Sequence, residues 1–325
     1  MSRFLNVAAV QFQPTLYMDS AAWQDEKLAE GAYDSTVKSL EALRGYGLDL
    51  IVLSESIESV GQTLEMAESV DKPGRFLQMY LDYARKERLH LVGSSKIREG
   101  DKVYNSAVVV GPKGILGCYH KTFPVIEEMT KNGLSAGKGA VVIETPIARI
   151  GAAICYDLNF KELRDEYAAL HPEIIAFPSM YHGGFVQGTW AYECRSYFIS
   201  ATCFEDCGIL DPFGRPLALA NDYTRLPMAK INLDYVMVHL GTLVSKLAEI
   251  RKKYRDAVTI EIPEHVGPAL IFSNTLQRTA LDIAREFELE LLDDLLARSR
   301  RVAADNRSAA APKRAAQRKK SRGAK

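Results

Sequence analysis

The chain has 325 residues, 47% of them hydrophobic, enough to bury a sizeable core in one large domain or two smaller ones. Lysine plus arginine equals aspartate plus glutamate at 41 each, so the whole molecule is not built as a polyanion binder. Five cysteines are few and odd in number, which argues against a disulfide framework and for a reducing compartment. Met1-Ser2-Arg3 leads straight into a strand-like run with no signal-like segment, and no stretch approaches the ~20 apolar residues a membrane span needs, so a cytoplasmic protein is expected.

In chain order, Val7–Gln11 reads as a buried strand and Trp23–Arg44 as a helix ending near Gly45. Asp49–Leu53 is the next strand, followed by a helix from Pro73-Gly74 to about Glu87. Strands follow at Leu89–Ser94 and Asn105–Val110, and Gly111-Pro112-Lys113-Gly114 turns the chain into Ile115–His120. After a loop over Lys131–Gly139, Val141–Glu144 and Ile150–Cys155 pair across Thr145-Pro146. Glu162–Leu170 and Gln187–Arg195 read as helices, Ile174–Phe177 and Tyr197–Thr202 as strands. Strands over Ile209–Leu219 flank a Pro-Phe-Gly turn, and Ala229–Leu233 continues the sheet. The strands are near-continuous apolar runs, so both faces of each sheet are covered, helices on one and a second sheet on the other. A layered α/β sandwich is the expected fold class.

Beyond about Gly267 the character changes. Asn274 is a candidate cap for a helix whose apolar positions Leu276, Ala280, Ile283, Phe287, Leu291 and Leu295 recur at helical spacing. After Asp305 only basic charges remain, among Ala, Ser, Gln and Gly, a composition that cannot bury enough apolar surface to fold. The expected organisation is a main domain over 1–267, a helical extension over 268–304 and a disordered basic tail over 305–325. The tail has no interleaved aromatics and no recognition motif, so nucleic acid is not an expected partner.

Three reactive side chains stand where a strand runs out, the usual place for active sites in α/β folds. They are Glu55 after DLIVLS, Lys121 after ILGCYH, and Cys155 after IGAAI. Around Cys155, GAAICYDLNF (151–160) leads into a helix-like KELRDEY, a strand–turn–helix that would offer backbone N–H groups to an oxyanion. Taken singly, each has a plainer reading: a strand-end cysteine is most often an ordinary buried one, and Glu55 and Lys121 could be solvated charges.

Taken together, the residues resemble the nitrilase superfamily of carbon–nitrogen hydrolases, amidase-like branch. The resemblance is carried by VAAVQFQP (7–14), DLIVLSES (49–56), VYNSAVVVGPKGILGCYHKTF (103–123) and TPIARIGAAICYDLNFKELR (145–164). It continues in EIIAFPSM (173–180), WAYECRSYFISAT (190–202), GILDPFGRPLA (208–218) and AKINLD (229–234), in the family's order. Two positions depart from the pattern: Ser54 stands where Pro often precedes the triad Glu, and Cys194 where Asn is common.

The resemblance implies a four-layer αββα sandwich and a homodimer or higher oligomer paired through helices beside the active-site face. It implies a Glu–Lys–Cys triad made by Glu55, Lys121 and Cys155, working without metal or organic cofactor. The second Glu of such sites lies in KTFPVIEEMTKNG, where the spacing from Lys121 favours Glu128 over Glu127. The implied activity is hydrolysis of a small linear amide to a carboxylic acid and ammonia or an amine through a cysteine thioester. Nitrilase or N-carbamoyl amidohydrolase chemistry is the alternative within the family, and a catalytically silent dimeric scaffold the alternative outside it. ICYDLNF leans toward amidases, since nitrilases typically carry Trp-Glu where Tyr156 and Asp157 stand here. Tyr156, Tyr181 and His182 are the expected substrate-binding residues. Cys194, Cys203 and Cys207 lack zinc-site spacing and read as core cysteines, Trp190 reads as core, and Glu193 and Arg195 read as a structural pair.

Overall fold

The computed structural model describes the backbone of residues 3–12, 26–55, 63–181, 183–203, 205–264 and 266–322, with side chains from 30 onward in the first helix and up to 308 in the last. The chain divides into two compact units, Phe4–Ile231 and a second made of Met1–Arg3 with Asn232–Lys325.

In the larger unit the expected strands form two six-stranded sheets. The first is built from β1 (Phe4–Ala9), β2 (Leu50–Val52), β3 (His90–Glu99), β4 (Lys102–Gly111), β5 (Gly114–His120) and β12 (Met228–Asn232), in the order β12-β1-β2-β3-β4-β5. The second contains β6 (Val142–Glu144), β7 (Arg149–Ala152), β8 (Ile174–Ser179), β9 (Tyr197–Thr202), β10 (Gly208–Leu210) and β11 (Pro216–Leu219), in the order β11-β10-β9-β8-β7-β6. The central strands run parallel, β1 with β2 and β3, β7 with β8 and β9, and the hairpins at the margins run antiparallel.

The reason the sheets stack is legible in burial. β2, β8 and β9 are buried at every position, which requires a cover on both faces. One cover is the opposite sheet: β1, β2 and β3 lie against β8, β9 and β10. The other is helical. α1 (Glu26–Ala42) and α2 (Arg75–Glu87) cover the first sheet, with Leu40, Leu77 and Tyr80 packed against Ile51, Leu91 and Val108. α4 (Lys161–Leu170) and α5 (Phe185–Cys194), which follow a short α3 (Ile126–Thr130), cover the second. The result is the four-layer αββα sandwich. The start of the first helix at Trp23 lies outside the described residues. β3 runs five residues past the expected Ser94, because Gly100 at φ +60° turns it into an antiparallel ladder that pairs Glu99 with Lys102.

The smaller unit holds a three-stranded antiparallel sheet, β13 (Tyr235–His239), β14 (Val258–Glu261) and β15 (Pro268–Ser273), with β15 in the middle and buried throughout. The boundary expected at Gly267 therefore falls inside a sheet, one residue before its central strand. α6 (Leu240–Tyr254) supplies Leu243 and Ile250 to the core that Ile271 and Ile283 share. The helix expected from Asn274 is also different. Thr279, not Asn274, caps α7 (Ala280–Glu286): its hydroxyl accepts Asp282 N–H at 3.0 Å, and the Asp282 carboxylate accepts Thr279 N–H at 3.1 Å. Glu288 then takes φ +53° and breaks the helix before α8 (Leu292–Arg322). The backbone of α8 continues through 305–322, the segment expected as an unfolded tail, and the described side chains from Arg301 to Ser308 are all exposed. Among the described residues no helix is long and apolar enough to cross a membrane.

Candidate active site

Glu55, Lys121 and Cys155 leave the ends of β2, β5 and β7 and meet within the larger unit. Lys121, 2% exposed, places Nζ 2.9 Å from a Glu55 carboxylate oxygen and 2.9 Å from Glu128. Glu55 is 4% exposed and also receives the Asn105 amide at 2.8 Å and the Met180 N–H at 3.0 Å. The Cys155 thiol hydrogen-bonds the same carboxylate and lies beside the Ser179 hydroxyl. A buried lysine and two carboxylates would be costly one at a time; hydrogen-bonded together they offset one another's desolvation.

The short α3 sends the two adjacent glutamates in different directions. Glu128 is half-buried and folds back to accept Val125 N–H at 2.8 Å as well as Lys121, while Asn105 donates to its other oxygen at 3.0 Å. Glu127 is exposed. Asn105, in the quoted VYNS motif but given no role from sequence, thus bridges both carboxylates with one amide nitrogen.

Burial, and then the neighbouring Glu55 carboxylate, push the Cys155 thiol well above its ordinary range, with Lys121 opposing. Burial, the largest single influence on Glu55, favours its neutral acid, yet the Lys121 ammonium and the hydrogen bonds from Lys121, Cys155 and Met180 together hold it below the usual carboxylate value. Burial likewise works against the Lys121 ammonium, but Glu55, Cys155 and Glu128 raise it above its normal value. These directions favour a neutral thiol beside an ionised carboxylate and an ionised lysine.

Cys155 opens a 3-10 turn (Cys155–Asn159) with φ +49°, a conformation rarely adopted by a non-glycine residue. Asp157, fully buried, holds this turn: its carboxylate accepts Ile154 N–H at 2.9 Å, Phe123 N–H at 2.8 Å and the Tyr119 hydroxyl at 2.7 Å. Burial raises its pKa to about 6 against those three donors. One side chain therefore ties the cysteine turn to the segment just after Lys121, a role that the sequence comparison of Tyr156-Asp157 did not reveal. Tyr156 is the second residue of the turn, where a backbone N–H has no partner inside its own helix.

Of the expected substrate-binding residues, Tyr156 is 40% exposed with its ring edge-on to Phe160, and Tyr181 is 39% exposed, next to the Met180 amide that binds Glu55. His182 lies outside the described residues. Trp190 is fully buried and donates to Leu158 O at 3.0 Å, bracing the cysteine turn from behind. Cys194, Cys203 and Cys207 are buried and Cys118 is half-buried. Glu193 pairs with Arg164, and Arg195, at the left-handed cap of α5, lays its guanidinium over the Tyr192 ring.

A sandwich with a thiol, two carboxylates and an ammonium gathered at its strand ends is the layout of a hydrolase of carbon–nitrogen bonds. Residues 6–238 match the family model described as carbon–nitrogen hydrolase, and the chain belongs to that family. Among curated proteins it is 28% identical over 221 residues to the omega-amidase NIT2 of Danio rerio, covering 59% of this chain and 79% of that one. It is 24% identical over 207 residues to the deaminated glutathione amidase of Dictyostelium discoideum, covering 54% and 71%. Among solved structures, a CN-hydrolase superfamily protein from Xanthomonas campestris with an arsenic adduct in its active site aligns with TM-score 0.57 at 20% identity, over 78% of this chain and 95% of that one. A Glu-to-Gln mutant of the amidase from Nesterenkonia sp. AN1, with acrylamide added at its active-site cysteine, aligns with TM-score 0.56 at 17% identity, over 78% of this chain and 99% of that one.

Proposed function

We propose that this protein hydrolyses small linear amides to a carboxylic acid and ammonia or an amine, with Cys155 as nucleophile, Glu55 as general base and Lys121 as oxyanion stabiliser. The observation that carries the reading is Lys121, buried and bound at 2.9 Å by both Glu55 and Glu128 beside the Cys155 thiol. Sulfur attacks the amide carbon as Glu55 takes the thiol proton, so the two groups whose protonation states are held apart exchange one proton within a hydrogen bond. Negative charge develops on the carbonyl oxygen, where Lys121 and the Tyr156 N–H are the fixed donors. Glu55 returns its proton to the departing nitrogen, the C–N bond breaks, and a thioester remains on Cys155. A water that gives its proton to Glu55 opens the thioester, which releases the acid and restores the thiol. Glu128 holds Lys121 in place through both steps.

The relatives named omega-amidase and deaminated glutathione amidase support an amide as substrate over a nitrile. So does the chemistry: attack on an amide creates the oxygen anion directly, whereas a nitrile gives a thioimidate nitrogen that must be protonated and hydrated first. A homodimer paired beside the active-site face is part of the proposal; a sedimentation coefficient of a monomer at micromolar concentration contradicts it. The substrate reading is tested by kcat/KM for amide and nitrile pairs sharing one acyl chain. Amides are expected to be preferred, and a consistent preference of about tenfold or more for nitriles, about 1.4 kcal/mol, overturns the amidase reading.

A further inference from the structure

Strand β3 carries a lysine toward this site. Gly93 and Ile97 face α2: a Cβ at Gly93 would meet the Tyr80 ring at 2.4 Å, and Ile97 joins the cluster of Leu77 and Tyr80. Side chains alternate along a strand, so Ser94 and Lys96 face the other way. There Ser94 donates to the Ser54 carbonyl, one residue before Glu55, at 3.4 Å. Lys96 is the cross-strand partner of Asn105, whose amide binds both Glu55 and Glu128. The Lys96 side chain is half-buried; burial lowers its pKa to about 8, and the facing Glu128 carboxylate resists that fall.

The charges around Asn105 explain what a second cation does here. Among the described residues, Glu55 from the end of β2 and Glu128 from α3 carry two negative charges against the one positive charge of Lys121 from the end of β5. When Glu55 takes the thiol proton an oxyanion replaces its charge, so the excess of one negative charge persists through attack and collapse. In a water-poor site such an excess is costly.

We propose that Lys96 is a positioning residue of this active site: placed across the strand pair from Asn105, its charge offsets the net negative charge of the cluster and so holds Glu128 on Lys121. The inference rests on the assignment of Glu55, Lys121 and Cys155 proposed above. It is tested in the full chain by Lys96→Met, which keeps the aliphatic stem, and Lys96→Arg, which keeps the charge, assayed by ammonia release from one uncharged amide between about pH 5 and 10. Lys96→Met is expected to lower kcat about tenfold or more with KM within about twofold. Lys96→Arg is expected to recover most of kcat. Wild-type kcat is expected to fall above about pH 8 as Lys96 loses its proton, and Lys96→Arg to hold its plateau to higher pH. A Lys96→Met enzyme within about twofold of wild type, a loss that Arg does not recover, or an alkaline limb unmoved by Lys96→Arg overturns the proposal. Should Lys96→Met fail to fold, the comparison of the wild-type and Lys96→Arg alkaline limbs decides alone. Failure of the underlying assignment is seen separately, as turnover retained in Cys155→Ala.

Discussion

Replacing Glu128 by Gln tests the part of the site that two adjacent glutamates made ambiguous. The carboxylate accepts from Lys121 Nζ at 2.9 Å, Val125 N–H at 2.8 Å and Asn105 Nδ2 at 3.0 Å, using both oxygens. A Gln offers one oxygen and one NH2, so one donor is left facing another donor, and Lys121 loses half of its charged partners. Loss of a hydrogen bond to a charged group is worth about 2–3 kcal/mol in a buried setting. If that loss falls on the transition state, kcat drops about 30- to 150-fold. Stability changes less, because Glu55 still pairs with Lys121. Glu127→Gln alters an exposed side chain, and activity is expected to stay within about twofold of wild type. The assay is ammonia release at saturating amide, with melting temperature as the control for folding. Equal losses from the two variants, or a larger loss at Glu127, would refute the role given to Glu128.

At Cys155, φ +49° costs any residue with a Cβ about 1 kcal/mol, so Cys155→Gly is expected to melt a few degrees above Cys155→Ala, both being inactive; an equal or lower melting temperature for the Gly variant contradicts a strained turn. Iodoacetamide is expected to label Cys155 first, since Cys194, Cys203 and Cys207 are buried and Cys118 has a His120 ring nitrogen at 3.8 Å where Cys155 has the Glu55 carboxylate as base and the Lys121 ammonium nearby; peptide mapping that finds another cysteine modified first speaks against the assignment. Deleting residues 305–325 is expected to leave activity and melting temperature unchanged, because the described side chains of that segment are exposed; a loss of several degrees shows that it docks.

The parts legible in the sequence were those written locally. The strand Tyr197–Thr202 is found with the boundaries its unbroken apolar run predicts, and the continuous burial of β8 and β9 follows from the same feature. Glu55, Lys121 and Cys155 each stand at a strand end, which alone marks none of them; the resemblance of their surroundings to the nitrilase superfamily singles them out. Asn105 and Asp157 did not stand out, because their roles exist only after folding: Asn105 bridges residues 50 and 23 positions away, and Asp157 reaches 34 positions back to Phe123. The break between α7 and α8 was hidden for the opposite reason. Apolar spacing carries on through Phe287 and Leu291, but the left-handed Glu288 turns the chain and buries Leu289 instead. The sheet of β13, β14 and β15 is less legible because β13 and β14 are short and only partly buried, although β15 is as apolar and as buried as β8.

The proposed mechanism passes an acyl group through the sulfur of Cys155. Turnover of a small amide, stopped with acid at steady state and followed by peptide mass mapping, is expected to show the acyl group on the peptide that contains Cys155. The adduct is expected to disappear on treatment with hydroxylamine and to be absent from Cys155→Ala. An acyl group on any other residue, or ammonia release by Cys155→Ala at a rate near that of the wild type, would contradict the account.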